Sequence, residues 1–347
     1  MINLDNYIIQ GEPDQKERGY IWHTAIGLQQ TDGLKTSDYL ITTANRNING
    51  DITLEEAKEL IDNYYEAKPD KHDDKTRTEE ADKVSARITQ LLAEKTFSFS
   101  PAEYISIHRD LFEGIYRFAG KVRDYNISKK EWALNGETVY YARAGSVRDT
   151  LEYDFKQEKE FSYKGLSMLQ TSEHIAKFTS GLWQIHAFGE GNTRTTAVFT
   201  IKYLRSIGFD VTNDIFAENA WYFRNALVRA NYNNLKQGIH ATQEYLNRFF
   251  ANLLLGEKNE LRNRELRVTI KTDVPLNVPL NVPLKMNKTQ HQVVNILKEN
   301  PNVTAKQIAE VIGVSDRTVK RAIEALKAAK IIERSGSKKI GSWVIKE

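Results

Sequence analysis

The stretch Ile185-His186-Ala187-Phe188-Gly189-Glu190-Gly191-Asn192-Thr193-Arg194 constrains this chain more than any other. Upstream of it, Ile175, Phe178, Leu182 and Ile185 recur at helical spacing. Downstream, Val198, Ile201, Leu204 and Ile207 do the same. Gly189, Gly191 and Asn192 interrupt the pattern between them, so one buried helix ends here and another begins. The turn therefore lies at a helix N-terminus, where unpaired N–H groups and the helix dipole favour anions. Gly191 lets the backbone close on a phosphate. Arg194 adds a fork of charged donors. Glu190 is a hard oxygen ligand suited to magnesium shared with phosphates. His186 takes a proton near neutral pH. A base, a carboxylate, an anion-binding turn and an arginine within nine residues describe phosphate chemistry on a hydroxyl.

The rest of the chain limits where such chemistry operates. With 347 residues it has room for more than one domain. It contains no cysteine, so disulfides and thiolate zinc sites are ruled out and a reducing compartment is the simple reading. No apolar run reaches membrane-spanning length and the start MINLDNYIIQ does not read as a signal peptide, so a cytoplasmic location is expected. The net charge of +3 is unevenly placed. From Met286 onward there are twelve Lys and Arg against six Asp and Glu, a surplus of +6 that leaves the body at −3. A basic tail on a mildly acidic body points to a nucleic-acid module.

In chain order, residues 1–30 give no strong pattern. Asn47-Ile48-Asn49-Gly50-Asp51 reads as a turn, followed by Thr53-Leu54-Glu55-Glu56, a capping box that opens a helix through Tyr64. A helix is expected from about Thr78 to Leu92, and another from Ser100-Pro101-Ala102-Glu103 through Ile115. His108, on that second helix, reads as a packed or surface histidine rather than a catalyst. Ile127–Tyr141 alternates around Asn135-Gly136, a hairpin dipeptide. This β-hairpin reads either as a surface connector or as a flap that pairs with a partner's extended segment. Helices are expected over 151–163, 168–188, 217–230 and 242–255. Tyr232 in the Asn-rich connection between the last two either holds a base or makes a turn.

Val274–Leu284 repeats the tetrad Asn-Val-Pro-Leu. Its regular prolines block helix and central strand, which leaves an extended spacer. Beyond it, a helix over Gln290–Glu299 precedes a helix–turn–helix. The first arm stops at Gly313, Ser315 caps the second, and the second runs over Asp316–Lys330. Ile331–Arg334 and Ser342–Ile345 then read as two strands, which makes the unit a winged helix. Val319, Ile323 and Leu326 face its core. Arg317, Lys320 and Arg321 lie on the other side, and Lys338 and Lys339 tip the wing. DNA binding is favoured; protein contact or homodimer formation is the alternative.

The motif His186-Ala187-Phe188-Gly189-Glu190-Gly191-Asn192-Thr193-Arg194 resembles the core of the Fic family, H-x-F-x-(D/E)-G-N-G-R. Leu111-Phe112, Tyr116-Arg117-Phe118-Ala119-Gly120 and Asn126-Ile127-Ser128-Lys129 resemble the family's upstream helix end and flap entry, and Tyr222–Asn231 a later helix. The resemblance covers roughly Leu34–Leu255. It implies a mostly α fold: a Fic-type helical bundle with a β-hairpin flap, followed by a small winged helix-turn-helix α+β domain. The expected division is an N-terminal helical region over 1–95, a catalytic core over 96–258, a linker over 259–286 and the winged unit over 287–347.

The resemblance also implies transfer of AMP from ATP to a Ser, Thr or Tyr hydroxyl of a protein, this chain's own hydroxyls included. His186 would be the base and Glu190 the Mg²⁺ ligand. Gly189, Gly191, Asn192, Thr193 and Arg194 would bind the nucleotide, with Tyr232 beside it. Lys129 would contact phosphate or target, and the flap residues Ser128, Lys129, Thr138 and Val139 would hold the target. Two positions depart from the pattern: Thr193 replaces the second glycine, and Ala197 replaces an arginine common three residues after the first. Many relatives carry an inhibitory helix, S/T-x-x-x-E-(G/N). Asn45–Gly50 is matched to it here, with Asn49 at the glutamate position, so autoinhibition is expected to be weak. Other Fic-type phosphate transfer, AMP removal, and a nucleotide-sensing DNA-binding regulator stand as alternatives.

Overall fold

The structure is a computed structural model that describes residues 13–67, 77–211, 214–269, 288–328, 331–335 and 342–345. The chain divides into two compact units, Met1–Lys271 and Thr272–Glu347.

In the first unit, ten helices and short 3₁₀ turns surround one central helix among the described residues. The helices before the motif are α1 (Pro13–Gly27), α2 (Asp38–Asn49), α3 (Leu54–Glu66), α4 (Thr78–Ala93), α5 (Pro101–Phe112), α6 (Val147–Glu160) and α7 (Met168–Ile185). The central helix is α8 (Asn192–Ser206), followed by α9 (Ile215–Ala230), α10 (Glu244–Leu255) and the short α11 (Asn263–Leu266). Every residue of α8 from Asn192 to Leu204 is buried. Its threonines stay inside because each finds a partner: Thr195 Oγ1 donates to the Gly191 carbonyl, and Thr196 shares a hydrogen bond with Tyr104. Phe188, Phe199, Tyr104 and Phe155 fill the space around them.

The caps that were expected form. Thr53 and Glu56 complete a capping box at α3, and Ser100 accepts from the Glu103 amide at α5. Two local readings change. Residues 47–49 are the last turn of α2, and the chain turns only at Gly50, φ +83°. Residues 13–27, which show no clear period in the sequence, form α1. Ile21 and Ala25 bury this helix in the same core as α4 and α8, while Trp22 enters a second cluster with α2 and α3, so its polarity pattern is diluted by contacts on several faces. Helices α1 and α4 are thus part of the body's core, while α2 and α3 bury their apolar faces in a smaller cluster around Trp22.

The flap also differs from expectation. Asn135 and Gly136 both take positive φ, as a tight hairpin turn requires. The arms are joined by two backbone bonds near the tip, Glu131 N–H to Glu137 C=O and Gly136 N–H to Glu131 C=O, and by the Lys129 amide donating to Thr138 Oγ1. No strand forms there, because Trp132–Leu134 coils into a 3₁₀ turn. The tip is instead tied to the end of the body: the Val268 amide donates to the Ala133 carbonyl, and Asn135 Nδ2 to the Val268 carbonyl.

In the second unit α12 (Lys288–Glu299), α13 (Ala305–Ile312) and α14 (Asp316–Ala328) pack with the antiparallel strands β1 (Ile332–Ser335) and β2 (Ser342–Ile345), Ile332 opposite Ile345. Gly313 takes φ +71°, and the Thr318 amide donates to Ser315, as the sequence predicts. Val319, Ile323 and Leu326 are buried with Val293, Leu297 and Ile308. The Asn-Val-Pro-Leu repeats, Lys338 and Lys339 lie outside the described residues.

Candidate active site

α7 ends at His186, which adopts φ +51° and ψ +58°. A left-handed conformation at a residue with a full side chain costs about 1–2 kcal/mol, so the surroundings must impose it. They do so through Arg123. Its guanidinium donates to the carbonyls of Ile185, His186, Tyr125 and Ala142. The Arg123 amide also donates to the Ala187 carbonyl. Asn192 then closes the loop by accepting from the Phe188 amide and donating to the Phe188 carbonyl. Phe188, fully buried, stacks on His108 with ring centres 3.7 Å apart.

His108 is buried, as expected, and its tautomer is readable. The Gly120 amide donates to Nδ1, so Nε2 carries the proton and donates to the Glu190 carbonyl. Burial, reinforced by Arg194, lowers its pKa to about 4, so it stays neutral and holds the turn from behind.

Gly191 must be glycine. It has φ +77°, and a Cβ there would lie 2.4 Å from the Phe112 ring. Gly189 is constrained differently: a Cβ would lie 2.5 Å from the Tyr125 hydroxyl. The first amide returning to the turn is that of Thr195, bonded to Gly191 C=O. The amides of Asn192, Thr193 and Arg194 have no backbone partner among the described residues, which leaves the helix start open to an anion. Thr193 does not obstruct it. Its hydroxyl accepts from the Trp183 indole at 3.0 Å, so the β-branched side chain points into the core.

His186 itself is 4% exposed and sits against Tyr141, ring centres 4.1 Å apart, with Trp183 edge-on. Its Nδ1 is sealed without a hydrogen bond. Burial first, then the charges of Lys129, Arg224 and Arg123, push its pKa well below the usual value. The imidazole is therefore neutral and able to accept a proton. Glu190 is partly exposed, and its Oε2 accepts from Lys129 of the flap at 2.6 Å. No cluster of three or more His, Asp or Glu side chains is arranged to hold a metal among the described residues. A magnesium ion that takes one protein carboxylate and completes its shell with phosphates and water fits this donor set.

Arg194 is where the structure departs most from the sequence reading. It is fully buried. Its Nη1 donates to Gln29, its Nη2 to Glu80, and its Nε lies 2.8 Å from Asp32. Glu80 also accepts from Arg77 and Tyr116. Asp32 ends the 3₁₀ turn Leu28–Asp32, which Gly33 closes at φ +70°. The expected regulatory residue, Asn49, makes none of these contacts. It is exposed at the end of α2. Asp32-Gly33 is an acidic residue followed by glycine, just past the 1–30 region that lacks a clear period.

Other expected site residues also lie elsewhere. Tyr232 is buried and its hydroxyl donates to Glu137 of the flap, with no contact to the turn. Val139 is buried under the flap, so it is an anchor, whereas Ser128 is exposed and Thr138 half-buried. Glu131 and Arg224, neither singled out from the sequence, pair next to Tyr141. Glu131, 1% exposed, accepts from Tyr141 and from Arg224.

A helical body that buries a neutral histidine beside an open helix N-terminus and a carboxylate has the chemistry suited to an anionic ligand. Comparison with known proteins places it more closely: residues 98–204 match the profile of the Fic/DOC family, and residues 286–333 match that of winged helix-turn-helix DNA-binding proteins. The chain thus contains a Fic domain followed by a C-terminal winged helix. The protein adenylyltransferase VbhT of Bartonella schoenbuchensis is 28% identical over 108 residues, 31% of this chain, and the match spans only 21% of that relative's length. Among solved structures, the VirB-translocated effector protein BepC of Bartonella tribocorum with bound AMPPNP is 19% identical. The match covers 50% of this chain and 85% of that one with a TM-score of 0.39. A Fic family protein from Desulfovibrio desulfuricans is 12% identical, with 99% and 92% covered and a TM-score of 0.43.

In the winged unit Arg317, Lys320 and Arg321 are exposed on α14, opposite its buried face. Lys320 pairs with Asp316. No helix is long and apolar enough to cross a membrane among the described residues.

Proposed function

We propose that the Fic domain transfers AMP from ATP to a hydroxyl of a protein. The observation that carries this reading is the juxtaposition of a neutral, buried His186 with the unpaired amides at the start of α8. The target oxygen attacks the α-phosphorus as its proton passes to His186. The bond from that phosphorus to the β-phosphate bridge breaks, and pyrophosphate leaves. The amides of Asn192, Thr193 and Arg194 receive the oxyanion charge, a role that depends on their fixed positions. Glu190 would hold Mg²⁺, which when bound neutralises phosphate charge. Lys129, now on Glu190, is placed to follow the phosphates as that carboxylate engages. Ser128, Lys129 and Thr138 of the flap border the side from which a target chain approaches.

Asp32 supports a second reading, about regulation. It and Glu80 occupy a guanidinium that otherwise lies on the helix carrying the anion site. In this form Arg194 is withheld from ligand, and the acidic restraint that Asn49 lacks is supplied by Asp32. Asn49→Glu should accordingly leave transfer unchanged. The winged unit would carry DNA contact through Arg317, Lys320 and Arg321.

The test is intact-mass measurement after incubation with ATP and Mg²⁺, alongside α- and γ-labelled ATP and a cell extract as source of targets. Label from the α-position that disappears in His186→Ala, by a factor of about 10² or more for a general base, is expected. Label from the γ-position alone, or label independent of His186, would reject the reading.

A further inference from the structure

A nucleotide triphosphate brings several negative charges, and one helix start with three amides does not balance them. Arg194 is not available, since it is 0% exposed and its donors meet Asp32, Gln29 and Glu80. Helix α8 offers no second arginine one turn further on, because Ala197 stands there, fully buried. Lys129 is then one cation beside Glu190.

Another cation reaches the same place from α9. Arg224 Nη2 donates to Glu131 Oε2 at 2.7 Å. Glu131 Oε1 accepts from the Tyr141 hydroxyl at 3.1 Å, and the Tyr141 ring lies 4.1 Å from the His186 ring. Arg224 is therefore separated from the imidazole by one carboxylate and one tyrosine. Its side chain keeps 15% of its surface open. Among the described residues no other hydrogen bond holds it, so Nε and Nη1 remain free to donate. Burial works against its charge, but Glu131, Asp32, Tyr141 and Glu190 around it sustain that charge. Two of those four, Asp32 and Glu190, are the acidic groups of the site already described. A guanidinium with one donor committed and a fork still open is suited to phosphate oxygens.

We propose that Arg224 binds the phosphate chain of the nucleotide donor, with Glu131 as the carboxylate that aims it. This rests on the nucleotide-transfer reading above. Glu131 keeps one edge of the guanidinium fixed, and the open edge meets the ligand. Tyr141, anchored to the same carboxylate, links nucleotide arrival to the position of the His186 ring.

Calorimetric titration of the full chain with ATP and with adenosine, both in Mg²⁺, tests the assignment. Removing Arg224 alone would strand a buried carboxylate, so the variant is Arg224→Ala with Glu131→Gln, compared with Glu131→Gln alone and with Arg224→Lys. Hydrogen bonds to charged groups predict that the double variant binds ATP about 10- to 100-fold more weakly than Glu131→Gln, while adenosine binds equally to both. Arg224→Lys should recover part of the ATP affinity. Equal losses for adenosine and ATP would show a structural role and overturn the proposal, as would unchanged ATP binding. A wild-type chain that binds neither ligand would instead remove the nucleotide-transfer reading on which it rests.

Discussion

Replacing Asp32 with asparagine probes the clamp on Arg194 while keeping its volume. The two charged groups approach to 2.8 Å, with the arginine fully buried and the carboxylate side chain 10% exposed. At an effective dielectric constant of about 20, that distance corresponds to about 6 kcal/mol of gross attraction. Desolvation cancels part of this, and breaking a buried pair typically costs about 3–5 kcal/mol. Glu80 still meets Arg194, so a loss of about 3 kcal/mol, the low end of that range, is expected. For a unit of this size that lowers Tm by about 6–12 °C, measured by scanning calorimetry.

The pH dependence has a definite sign. Burial alone would raise the Asp32 pKa, but Arg194, followed by Arg224, Arg77 and Lys129, outweighs it and holds the carboxyl below its ordinary 3.8. A depressed folded pKa contributes stability that is full above 3.8 and lost as pH falls through the folded value. The gap between wild type and Asp32→Asn should therefore be widest near neutral pH and close in acid below 3.8. Transfer activity should rise in the same variant, as stability and restraint are lost together. Equal Tm values at neutral pH would refute the argument, and so would a gap that stays constant on acidification.

Three further outcomes are expected. Gly191→Ala should unfold the body more readily by about 2–5 kcal/mol, since left-handed strain adds to a clash with the Phe112 ring. Gly189→Ala should cost less, because its obstacle is the end of the Tyr125 side chain; denaturant midpoints compare the two. With the His186 pKa held well below 6.5, transfer should show no loss of base between pH 8 and pH 6.5 in a pH–rate profile, and a fall centred at 6.5 would contradict the assigned burial effect. In the winged unit, Arg317→Ala with Arg321→Ala should weaken DNA binding and reduce the salt slope by about 2 in a titration across salt concentrations. An unchanged slope would place DNA contact elsewhere.

The sequence by itself determined the turn between α7 and α8, the helix caps at Thr53, Ser100 and Ser315, and the helix–turn–helix with its two strands. These are local: apolar period, capping oxygens and glycines act over a few residues, so their consequences can be read in order. The proximity of the histidine, the carboxylate and the open helix start was legible for the same reason, since they are neighbours in the chain. Which side chains the arginine of that motif meets was decided only by tertiary structure. Arg194 meets Gln29 and Asp32 across more than 160 positions and Glu80 across 114. No local signal reports which distant carboxylate will share a buried site with a guanidinium. Arg224 and Glu131, 93 positions apart, show the same limit. Burial makes such pairings obligatory, because an unpaired charge inside the body would be too costly, but only the packing of α4, α8, α9 and the flap selects the partners.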